Sequence, residues 1–354
     1  MEKLRILELF GGIGACSKAL ERLEIDYEIA DYVEIDKYAV KSFNAIHNTN
    51  FEPQDICNWD KDIEVDLIMH GSPCQDFSLA GKQAGGDKGS GTRSSLMYET
   101  IRIVEKIRPK YVIWENVKNL LSKKHKHNFD AYLERMEELG YTNYYQVLNA
   151  KDYGIPQKRE RVFTISILGN GNYEFPKGEE CDNSIKVVGN YMPSGHDASR
   201  VVDENGLAPT VKENHGTVTA VLQRFEFPPK QELKLKLKDI LEDEVDEKYY
   251  LNDVQIKRIE TTTYNVGKTR IQKKEWCDTL CARDWKDPKC VKVNRIRKLT
   301  PKECFRLMGF DDKDYEKASE VNSNTQLYKQ AGNSIVVNVL ETIFRVLLLE
   351  QVDK

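Results

Sequence analysis

The first half of the chain alternates short apolar runs with longer stretches of helical period. Five apolar runs predict strands, at residues 4–10, 29–35, 65–69, 111–114 and 161–168. Between them, apolar positions recur with a spacing that predicts helices at residues 13–23, 38–47, 96–107 and 129–139. Strands that alternate with helices in this way predict an open, mainly parallel sheet with helices on both faces.

A change of texture after the last predicted strand divides the chain. Residues 169–180 are rich in Gly, Asn and Glu and predict a linker, and residues 181–325 show few helical periods. The amphipathic run 335–349 predicts a helix that packs back onto the sheet rather than a membrane span. The predicted domains are therefore a sheet domain of residues 1–175, which residues 326–354 complete, and a smaller, irregular domain between them.

Composition and charge are those of an ordinary globular protein, with one local exception. Hydrophobic residues make up 40% of the chain, charged residues make up 31%, and the net charge is −4, which argues against a uniformly basic nucleic-acid binder. Residues 257–302 nevertheless hold fourteen Lys or Arg against five Asp or Glu. A localised contact with a polyanion would need such a segment, whereas a solvated charged face would show the same count.

The eight cysteines are scattered along the chain. Because we find no secretory leader pattern, we expect a reducing cytoplasm and thiols rather than disulfides. Cys277, Cys281 and Cys290 could suggest zinc, but their spacing matches no standard ligand pattern and no histidine lies nearby. We therefore expect no bound metal.

A glycine-rich turn follows the first predicted strand. In the segment LELFGGIGACSKAL, Gly12 and Gly14 let the backbone turn sharply and approach a ligand closely. The second strand ends in VEID, which places Glu34 where an acid can accept hydrogen bonds from ribose hydroxyls. Glycines alone would fit an ordinary tight turn, but glycines followed by this acid predict a cofactor that contains a nucleoside.

Side chains suited to nucleophilic and acid–base chemistry lie at three predicted strand ends. Cys74 follows Pro73 and the third strand, Glu115 ends the next one, and the fragment DYGIPQKRERVF delivers Arg159 and Arg161. Singly, each has a plain structural explanation, since a cysteine packs as a small hydrophobe, an acid can begin a helix and two arginines can form a surface pair. Because open sheets bind ligands at the carboxyl ends of their strands, the set together favours one catalytic pocket.

Five motifs follow LELFGGIGA in the order GSPCQDFSLAGKQ, WENVKNLL, DYGIPQKRERVF, RKLTPKECFRLMGF and YKQAGNSIVVNVL. In this order they resemble the motifs of the DNA (cytosine-5) methyltransferases, over residues 4–168 and 295–342. The resemblance implies the α/β fold of S-adenosylmethionine-dependent methyltransferases, a Rossmann-like mixed sheet with helices on both faces, plus a smaller irregular target-recognition domain. Two positions depart mildly from the family, since Glu8 stands where Asp is usual and Ala15 where a further Gly is common.

The resemblance implies a role for each catalytic candidate. Cys74 would add to carbon 6 of cytosine, so that carbon 5 can attack a sulfonium methyl group. Glu115 would hold the exocyclic amine and ring nitrogen 3 of the base. Arg161, with Arg159 in support, would stabilise the carbonyl side of the ring.

The methyl donor implied by the resemblance is S-adenosylmethionine. Phe10 would stack on the donor, Glu34 would bind its ribose, and Asp55 would bind its adenine. The full set of residues expected to bind the donor is Phe10, Gly12, Gly14, Glu34, Asp55, Pro73, Leu96 and Asn333.

The expected substrate is a cytosine in double-stranded DNA, which must be flipped out of the stack to be reached. The glycines of residues 81–91 suit a loop that closes over the flipped base, although a plain surface loop would have the same composition. The variable stretch before RKLTPKECFRLMGF is expected to select the DNA sequence. The side chains that we expect to contact DNA are Gln75, Ser78, Lys82, Gln157, Arg270, Lys273, Lys274 and Thr279.

Two other functions remain open from the sequence. One is a transfer-RNA cytosine-5 methyltransferase, since one branch with these motifs acts on RNA, and the other is a DNA-binding relative that has lost catalysis. We expect a monomer in the cytoplasm of a prokaryotic or phage-infected cell, without membrane contact. Any cognate restriction endonuclease would act as a separate protein.

Overall fold

The structure, a computed structural model, covers the predicted sheet domain most fully. It describes residues 3–73, 96–169, 187–190, 200–202, 233–252, 271–272, 277–282, 290–292 and 296–349. The predicted linker, apart from its first residue, and the glycine-rich loop 81–91 lie outside the described residues.

A six-stranded mixed sheet organises the N-terminal part of the chain. Its strands are β1 (Leu4–Leu9), β2 (Tyr27–Val33), β3 (Leu67–His70), β4 (Tyr111–Val117), β5 (Tyr141–Asn149) and, after the short β6 (Gln157–Lys158), β7 (Glu160–Leu168). Across the sheet the order is β2-β1-β3-β4-β7-β5. The pairs β1–β2, β1–β3 and β3–β4 are parallel, whereas β7 runs antiparallel to both β4 and β5.

Helices cover both faces of this sheet. They are α1 (Ala15–Arg22), α2 (Lys37–His47), α3 (Met97–Ile107), α4 (Lys126–Glu138), α5 (Leu237–Ile240), α6 (Pro301–Arg306), α7 (Asp312–Val321), α8 (Asn324–Asn333) and α9 (Val337–Phe344), which continues as a π-helical turn over Arg345–Leu349. Successive strand residues point to opposite faces. Ile6 and Ile113 therefore pack in one core with α1 and α9, while Leu7 and Val112 pack in the other with α3 and α4. This arrangement confirms the predicted fold class.

Strand β5 is the strand of this sheet that the apolar pattern did not predict. Its most buried residues, Tyr141, Tyr144 and Leu148, are three and four positions apart. This is the spacing of a helix face rather than of a strand. The strand lies at the edge of the sheet and pairs with β7 over its whole length, so its position depends on a partner that is distant in sequence. The other predicted strands and helices agree with the observed bounds to within three residues.

The C-terminal helix packs as a core element, as its apolar pattern predicted. By length and composition alone, Asn324–Leu349 could cross a membrane, but 56% of its most apolar window is buried in the structure. The run is also interrupted between α8 and α9. The predicted apolar face lies in the core that α9 shares with α1, and consists of Val336, Val339, Leu340, Ile343, Phe344 and Leu347.

The described part of the second region contains short strands. They are β8 (Val187–Asn190), β9 (Arg200–Val202), β10 (Ile271–Gln272), β11 (Cys277–Asp278), β12 (Cys290–Lys292) and β13 (Ile296–Lys298). β8 pairs with β9, and β12 pairs with both β10 and β13. β11 pairs in parallel with β6, so the chain touches the sheet domain at this point.

Contacts of α6 and α7 with the sheet domain indicate where the boundary between the two domains lies. The Lys18 ammonium of α1 lies 2.9 Å from the Asp311 carboxylate and 3.2 Å from the Asp314 carboxylate. Leu299 and Phe305 are completely buried in the core shared with the sheet. We therefore propose that the sheet domain resumes near Leu299, upstream of the boundary that composition suggested.

A matched pair of leucines tests the packing of the C-terminal helix. Leu340→Ala removes a completely buried side chain, whereas Leu349→Ala changes one that is 41% exposed in the same run. We expect Leu340→Ala to lower the free energy of unfolding by about 2–5 kcal/mol, because it leaves a cavity in the core. Leu349→Ala should change it by only about 0.5 kcal/mol. Urea unfolding measures both, and equal losses would contradict the packing described.

Candidate active site

Residues that follow three parallel strands line a cavity of about 640 Å³. Of the eight residues predicted to bind the donor, seven line this cavity, namely Phe10, Gly12, Glu34, Asp55, Pro73, Leu96 and Asn333. The catalytic candidates Glu115, Arg159 and Arg161 line it as well. The sheet thus gathers side chains from distant parts of the sequence at the carboxyl ends of its strands, where open sheets bind ligands.

The turn between β1 and α1 forms one wall of the cavity. Phe10 has a φ of 55° and Gly12 a φ of 56°, a left-handed conformation that is unusual for a bulky residue. A Cβ atom on Gly12 would meet nothing within 4 Å, so this residue presents bare backbone to the cavity. Gly14 does not line the cavity, and a Cβ atom there would lie 2.2 Å from Nε2 of His47. We therefore propose that Gly14 serves the close packing of α1 against α2 rather than donor binding.

Glu34 presents its carboxylate at the end of β2. One oxygen accepts a hydrogen bond from the N–H of Gly12 at 3.2 Å, and the other accepts one from the N–H of Asp36 at 2.9 Å. Burial raises the pKa of this carboxyl, and the two N–H groups oppose the shift. Each oxygen keeps a further lone pair, so the carboxylate can also accept hydrogen bonds from a diol.

Ile35 is a cavity residue that sequence reasoning missed. Its side chain is 68% exposed and lines the same cavity as Glu34. An exposed apolar side chain beside a hydrogen-bonding acid suits the face of a planar heterocycle. The available signal was its position in VEID, where an apolar residue lies between two acids beyond the apolar core of the strand.

Polar side chains of β2 and α3 hold the loop that carries Asp55. Asp31 is 3% exposed and accepts a hydrogen bond from the Trp59 indole N–H at 2.7 Å. From the other side, the Arg102 guanidinium donates to the carbonyls of Trp59 at 2.9 Å and Ile56 at 3.0 Å. Because the loop's polar groups have protein partners, Asp55 is held at the cavity wall.

A carboxylate and a guanidinium lie side by side at the other end of the cavity. Nε of Arg161 is 3.0 Å from Oε1 of Glu115, and both side chains are mostly buried. The antiparallel pairing of β4 with β7 brings them together, since Val117 lies opposite Arg161. Such a pair offers an acceptor and donors to the edge of a planar base.

The backbone just before the predicted nucleophile is anchored from beneath. The Trp114 indole N–H donates to the Ser72 hydroxyl at 3.0 Å, and the Asn116 amide donates to the Ser72 carbonyl at 3.3 Å. His70 stacks on Trp114 with ring centroids 5.6 Å apart. Burial lowers the pKa of His70 to about 3, so the imidazole is neutral at pH 7. Pro73 therefore leaves the sheet from a well-supported point.

Gln157 and Arg159 hold protein backbone. Gln157 is completely buried, and its amide donates to the Leu307 carbonyl at 2.8 Å and accepts from the Leu280 N–H at 3.0 Å. Gln157 thus joins two protein segments, and we propose this role for it in place of the predicted DNA contact. Arg159 is 4% exposed, and its two terminal nitrogens donate to the backbone carbonyls of Leu280 and Ser334.

The remaining predicted site residues are less defined by the structure. Thr279 is half-buried, and its hydroxyl donates to the Lys158 carbonyl at 2.6 Å. The others lie outside the described residues, and their roles stay predictions: Cys74, Gln75, Ser78, Lys82, Arg270, Lys273 and Lys274.

The chemistry of the cavity fits an S-adenosyl compound. Its volume falls within the ordinary range for a small-ligand pocket. Carboxylates at Glu34 and Asp55 would repel a phosphate, but they can accept hydrogen bonds from ribose hydroxyls and from an adenine amine. The exposed Ile35 and the bare backbone of Gly12 leave room for the nucleoside. These residues would hold the donor without any contribution from a phosphate group.

Glu8 of β1 is buried beneath the turn between β1 and α1. Its carboxyl accepts hydrogen bonds from the N–H and the hydroxyl of Ser17. Burial raises the pKa of Glu8 to about 7, although the bonds from Ser17 oppose this shift. Folding therefore favours the protonated form. The stability that Glu8 contributes is fully present below the unfolded pKa and is lost as the pH rises through about 7.

The variant Glu8→Gln tests this pH dependence. A neutral amide keeps an acceptor for Ser17 and cannot ionise. Between about pH 4.5 and pH 7.5, we expect the wild type to lose on the order of 3 kcal/mol relative to the variant. Urea unfolding of both proteins at both pH values measures the difference. A constant difference would show that Glu8 ionises as readily in the folded protein as in the unfolded chain.

Comparison with known proteins agrees with the geometry of the site. The chain matches the family model for C-5 cytosine-specific DNA methylases over residues 4–348. It is 32% identical to the type II methyltransferase M2.ScrFI of Lactococcus lactis subsp. cremoris, over 98% of this chain and 100% of that protein. It is 31% identical to the orphan methyltransferase M.SPRI of Bacillus phage SPR, over 100% of this chain and 99% of that protein.

Solved structures share the fold. The crystal structure of S. pombe Dnmt2 methyltransferase has a TM-score of 0.64 and 19% sequence identity, and the match covers 99% of this chain and 100% of that one. The family match includes the whole sheet domain and the C-terminal helices, and two relatives exceed 30% identity over nearly their full length. The chain therefore belongs to the C-5 cytosine-specific DNA methylases, whose methyl donor is S-adenosylmethionine.

Proposed function

We propose that this enzyme methylates carbon 5 of a cytosine within a short sequence of duplex DNA. The observation that carries the proposal is the Glu115–Arg161 pair, which lines the same cavity as the residues proposed for the donor. A cytosine presents an amine, a ring nitrogen and a carbonyl along one edge. A carboxylate beside a guanidinium can bind that edge next to the methyl group.

The proposed chemistry begins with activation of the ring. Carbon 5 of cytosine is a poor nucleophile, and addition of the Cys74 thiolate to carbon 6 would give it the electron density to attack. Glu115 would hold ring nitrogen 3 and the amine as charge develops, and Arg161 would stabilise the carbonyl oxygen. S-adenosylmethionine supplies an electrophilic methyl group. S-adenosylhomocysteine would leave as the methyl group is transferred, and loss of the carbon-5 proton to water and then of the thiolate would restore the aromatic ring.

The donor would lie against the opposite wall of the cavity. We assign the ribose hydroxyls to Glu34 and the adenine amine to Asp55. Phe10 and Ile35 would pack against the rings and exclude water from them. The remaining contacts would come from Gly12, Pro73, Leu96 and Asn333, which also line the cavity.

Duplex DNA is the proposed substrate in preference to transfer RNA. The family description names DNA, and the basic surplus of residues 257–302 suits a phosphate backbone. The target base must leave the stack to reach the cavity. We propose that residues 181–294 select the sequence, because the cavity residues contact only the flipped base. The proposed DNA contacts are Gln75, Ser78, Lys82, Arg270, Lys273, Lys274 and Thr279.

The relatives named above come from a bacterium and a bacterial phage. On this basis we propose that the enzyme works in the cytoplasm of a prokaryotic or phage-infected cell. We further propose that it acts as a monomer and that any cognate restriction endonuclease is a separate protein. A single flipped base needs one catalytic pocket, and the described residues assemble that pocket within one chain.

Transfer of tritium from labelled S-adenosylmethionine tests the substrate. Plasmid DNA and transfer RNA are offered separately, and we expect label to enter the DNA alone. Bisulfite sequencing of the product should place every methylated cytosine in one short sequence. Label in transfer RNA alone would identify an RNA methyltransferase, and DNA binding without transfer would identify an inactive relative.

The variant Cys74→Ser tests the covalent step. A serine hydroxyl is a far weaker nucleophile than a partly ionised thiol at neutral pH. We expect methyl transfer to be lost while S-adenosylhomocysteine binds as in the wild type. Duplex DNA with 5-fluorocytosine should trap the wild type covalently but not the variant. Cys304→Ser, which alters a buried cysteine of α6, serves as the control and should retain transfer while folded.

Two tryptophans separate positioning of the nucleophile from binding of the donor. Trp114→Phe removes the N–H that holds Ser72, whereas Trp59→Phe removes the N–H that binds Asp31 beneath the Asp55 loop. We expect Trp114→Phe to lower kcat by about tenfold to a hundredfold, since small misplacements are costly to rate. Trp59→Phe should instead raise the KM for the donor. Steady-state kinetics decide, and a shift of the same parameter in both variants would refute the assignment.

A further inference from the structure

The short segment 277–282, which we call the junction segment, is bonded to the sheet domain largely through its backbone. The Cys277 N–H donates to the Pro156 carbonyl at 2.5 Å, next to the parallel pairing of β11 with β6. The Leu280 N–H donates to the side-chain oxygen of Gln157 at 3.0 Å. This segment lies within the stretch proposed to select the DNA sequence, so it is where that stretch meets the catalytic body.

Arg159 reaches from this junction to the wall of the donor cavity. Its Nη1 atom donates to the Leu280 carbonyl at 3.0 Å, and its Nη2 atom donates to the Ser334 carbonyl at 2.7 Å. Both nitrogens also lie 3.3 Å from the Gly332 carbonyl. Asn333 lies between Gly332 and Ser334 in the chain and lines the cavity. One guanidinium thus donates hydrogen bonds both to the junction segment and to the end of α8 beside the donor cavity.

Gly332 brings the two sides into direct contact. A Cβ atom on this residue would lie 2.2 Å from the carbonyl carbon of Cys281 and 2.4 Å from the nitrogen of Ala282. Real Cβ atoms do not approach backbone so closely, so the end of α8 and the junction segment pack backbone to backbone. A shift of the junction segment therefore cannot leave the end of α8 undisturbed.

We propose that Arg159 is a positioning residue that couples binding of DNA to binding of the methyl donor. DNA that contacts the recognition stretch near Thr279 would fix the Leu280 carbonyl, and Arg159 would then hold the Gly332 and Ser334 carbonyls so that Asn333 faces the donor. The coupling is reciprocal, since each ligand must raise the affinity for the other by the same factor. This inference rests on the proposed function, because it assumes that DNA is the second ligand.

The geometry explains why arginine is required at this position. A guanidinium directs several N–H groups in fixed directions within one plane, so it can hold carbonyls from different segments at once. A lysine ammonium has a more flexible stem and no planar fork. The conservative variant Arg159→Lys therefore keeps the charge and removes the fixed geometry.

Binding measurements without turnover test the coupling. The ligands are S-adenosylhomocysteine, which carries no methyl group to transfer, and a duplex containing the sequence found by bisulfite sequencing. For the wild type, we expect each saturating ligand to tighten the other by about tenfold, a typical coupling between two sites. For Arg159→Lys, we expect the factor to fall to about twofold or less, with both ligands still able to bind singly.

Arg102→Lys is the matched control. Arg102 also bridges two carbonyls of a loop at the donor cavity, those of Ile56 and Trp59, and the hydrogen bonds of its guanidinium that define this role involve no residue of the junction segment. We expect this variant to bind S-adenosylhomocysteine more weakly but to keep the tenfold coupling factor. Loss of the factor in both variants would overturn the specific role of Arg159.

A second variant keeps the proposal open to refutation if Arg159→Lys does not fold, as circular dichroism would show. Gln157→Met is close in shape and removes the acceptor for the Leu280 N–H, so it should also reduce the coupling factor. Absence of coupling in the wild type, or a full factor in a folded Arg159→Lys or Gln157→Met variant, would overturn the inference alone. A wild type that binds no duplex would overturn the proposed function and the coupling with it.

Discussion

Hydrogen bonds between side chains of the sheet domain and loop groups are the interaction on which the whole site depends. The carboxyl edge of a parallel sheet is made of loops, whose N–H and C=O groups would cost free energy if buried without partners. Asp31 and Arg102 hold the loop before β3, Trp114 holds the turn after β3, and Arg159 holds the end of α8. Asp31, Arg102 and Trp114 belong to packed strands or helices, and Arg159 lies between β6 and β7, so the sheet domain determines where the cavity residues lie.

The sequence predicts best those site residues whose chemistry resides in the side chain itself. Glu34 and Glu115 were expected to meet a ligand because they lie at strand ends, where open sheets bind ligands, and both line the cavity. Gln157 and Arg159 gave an equally strong signal, yet their partners are backbone atoms of Leu280 and of residues near Ser334. Backbone donors and acceptors leave no trace in a sequence, so a residue that touches substrate cannot be told from one that holds a loop.

The same limit applies to the fold. The central strands were predictable because each is apolar on both faces, as parallel strands under two helical layers must be. Strand β5 was missed because it is an edge strand with buried residues at a helical spacing, and only its pairing with β7 makes it extended. Gly14 and Gly332 show the same limit for single residues, because a sequence does not reveal which distant segment a glycine packs against. Both are needed for close packing against distant segments, which a motif of glycines does not distinguish from contact with a ligand.

The junction also suggests how one catalytic body can serve recognition stretches of different sequence. Cys277 and Leu280 are joined to the body through backbone N–H and C=O groups, which every residue except proline provides. Such a joint places little demand on the side chains of the recognition stretch, so those side chains can be chosen for contacts with DNA. Particular residues are needed only in the catalytic body. The junction requires the side-chain amide of Gln157, the guanidinium of Arg159 and a glycine at position 332. The proposed recognition stretch and the catalytic body can then vary separately, although hydrogen bonds join them directly.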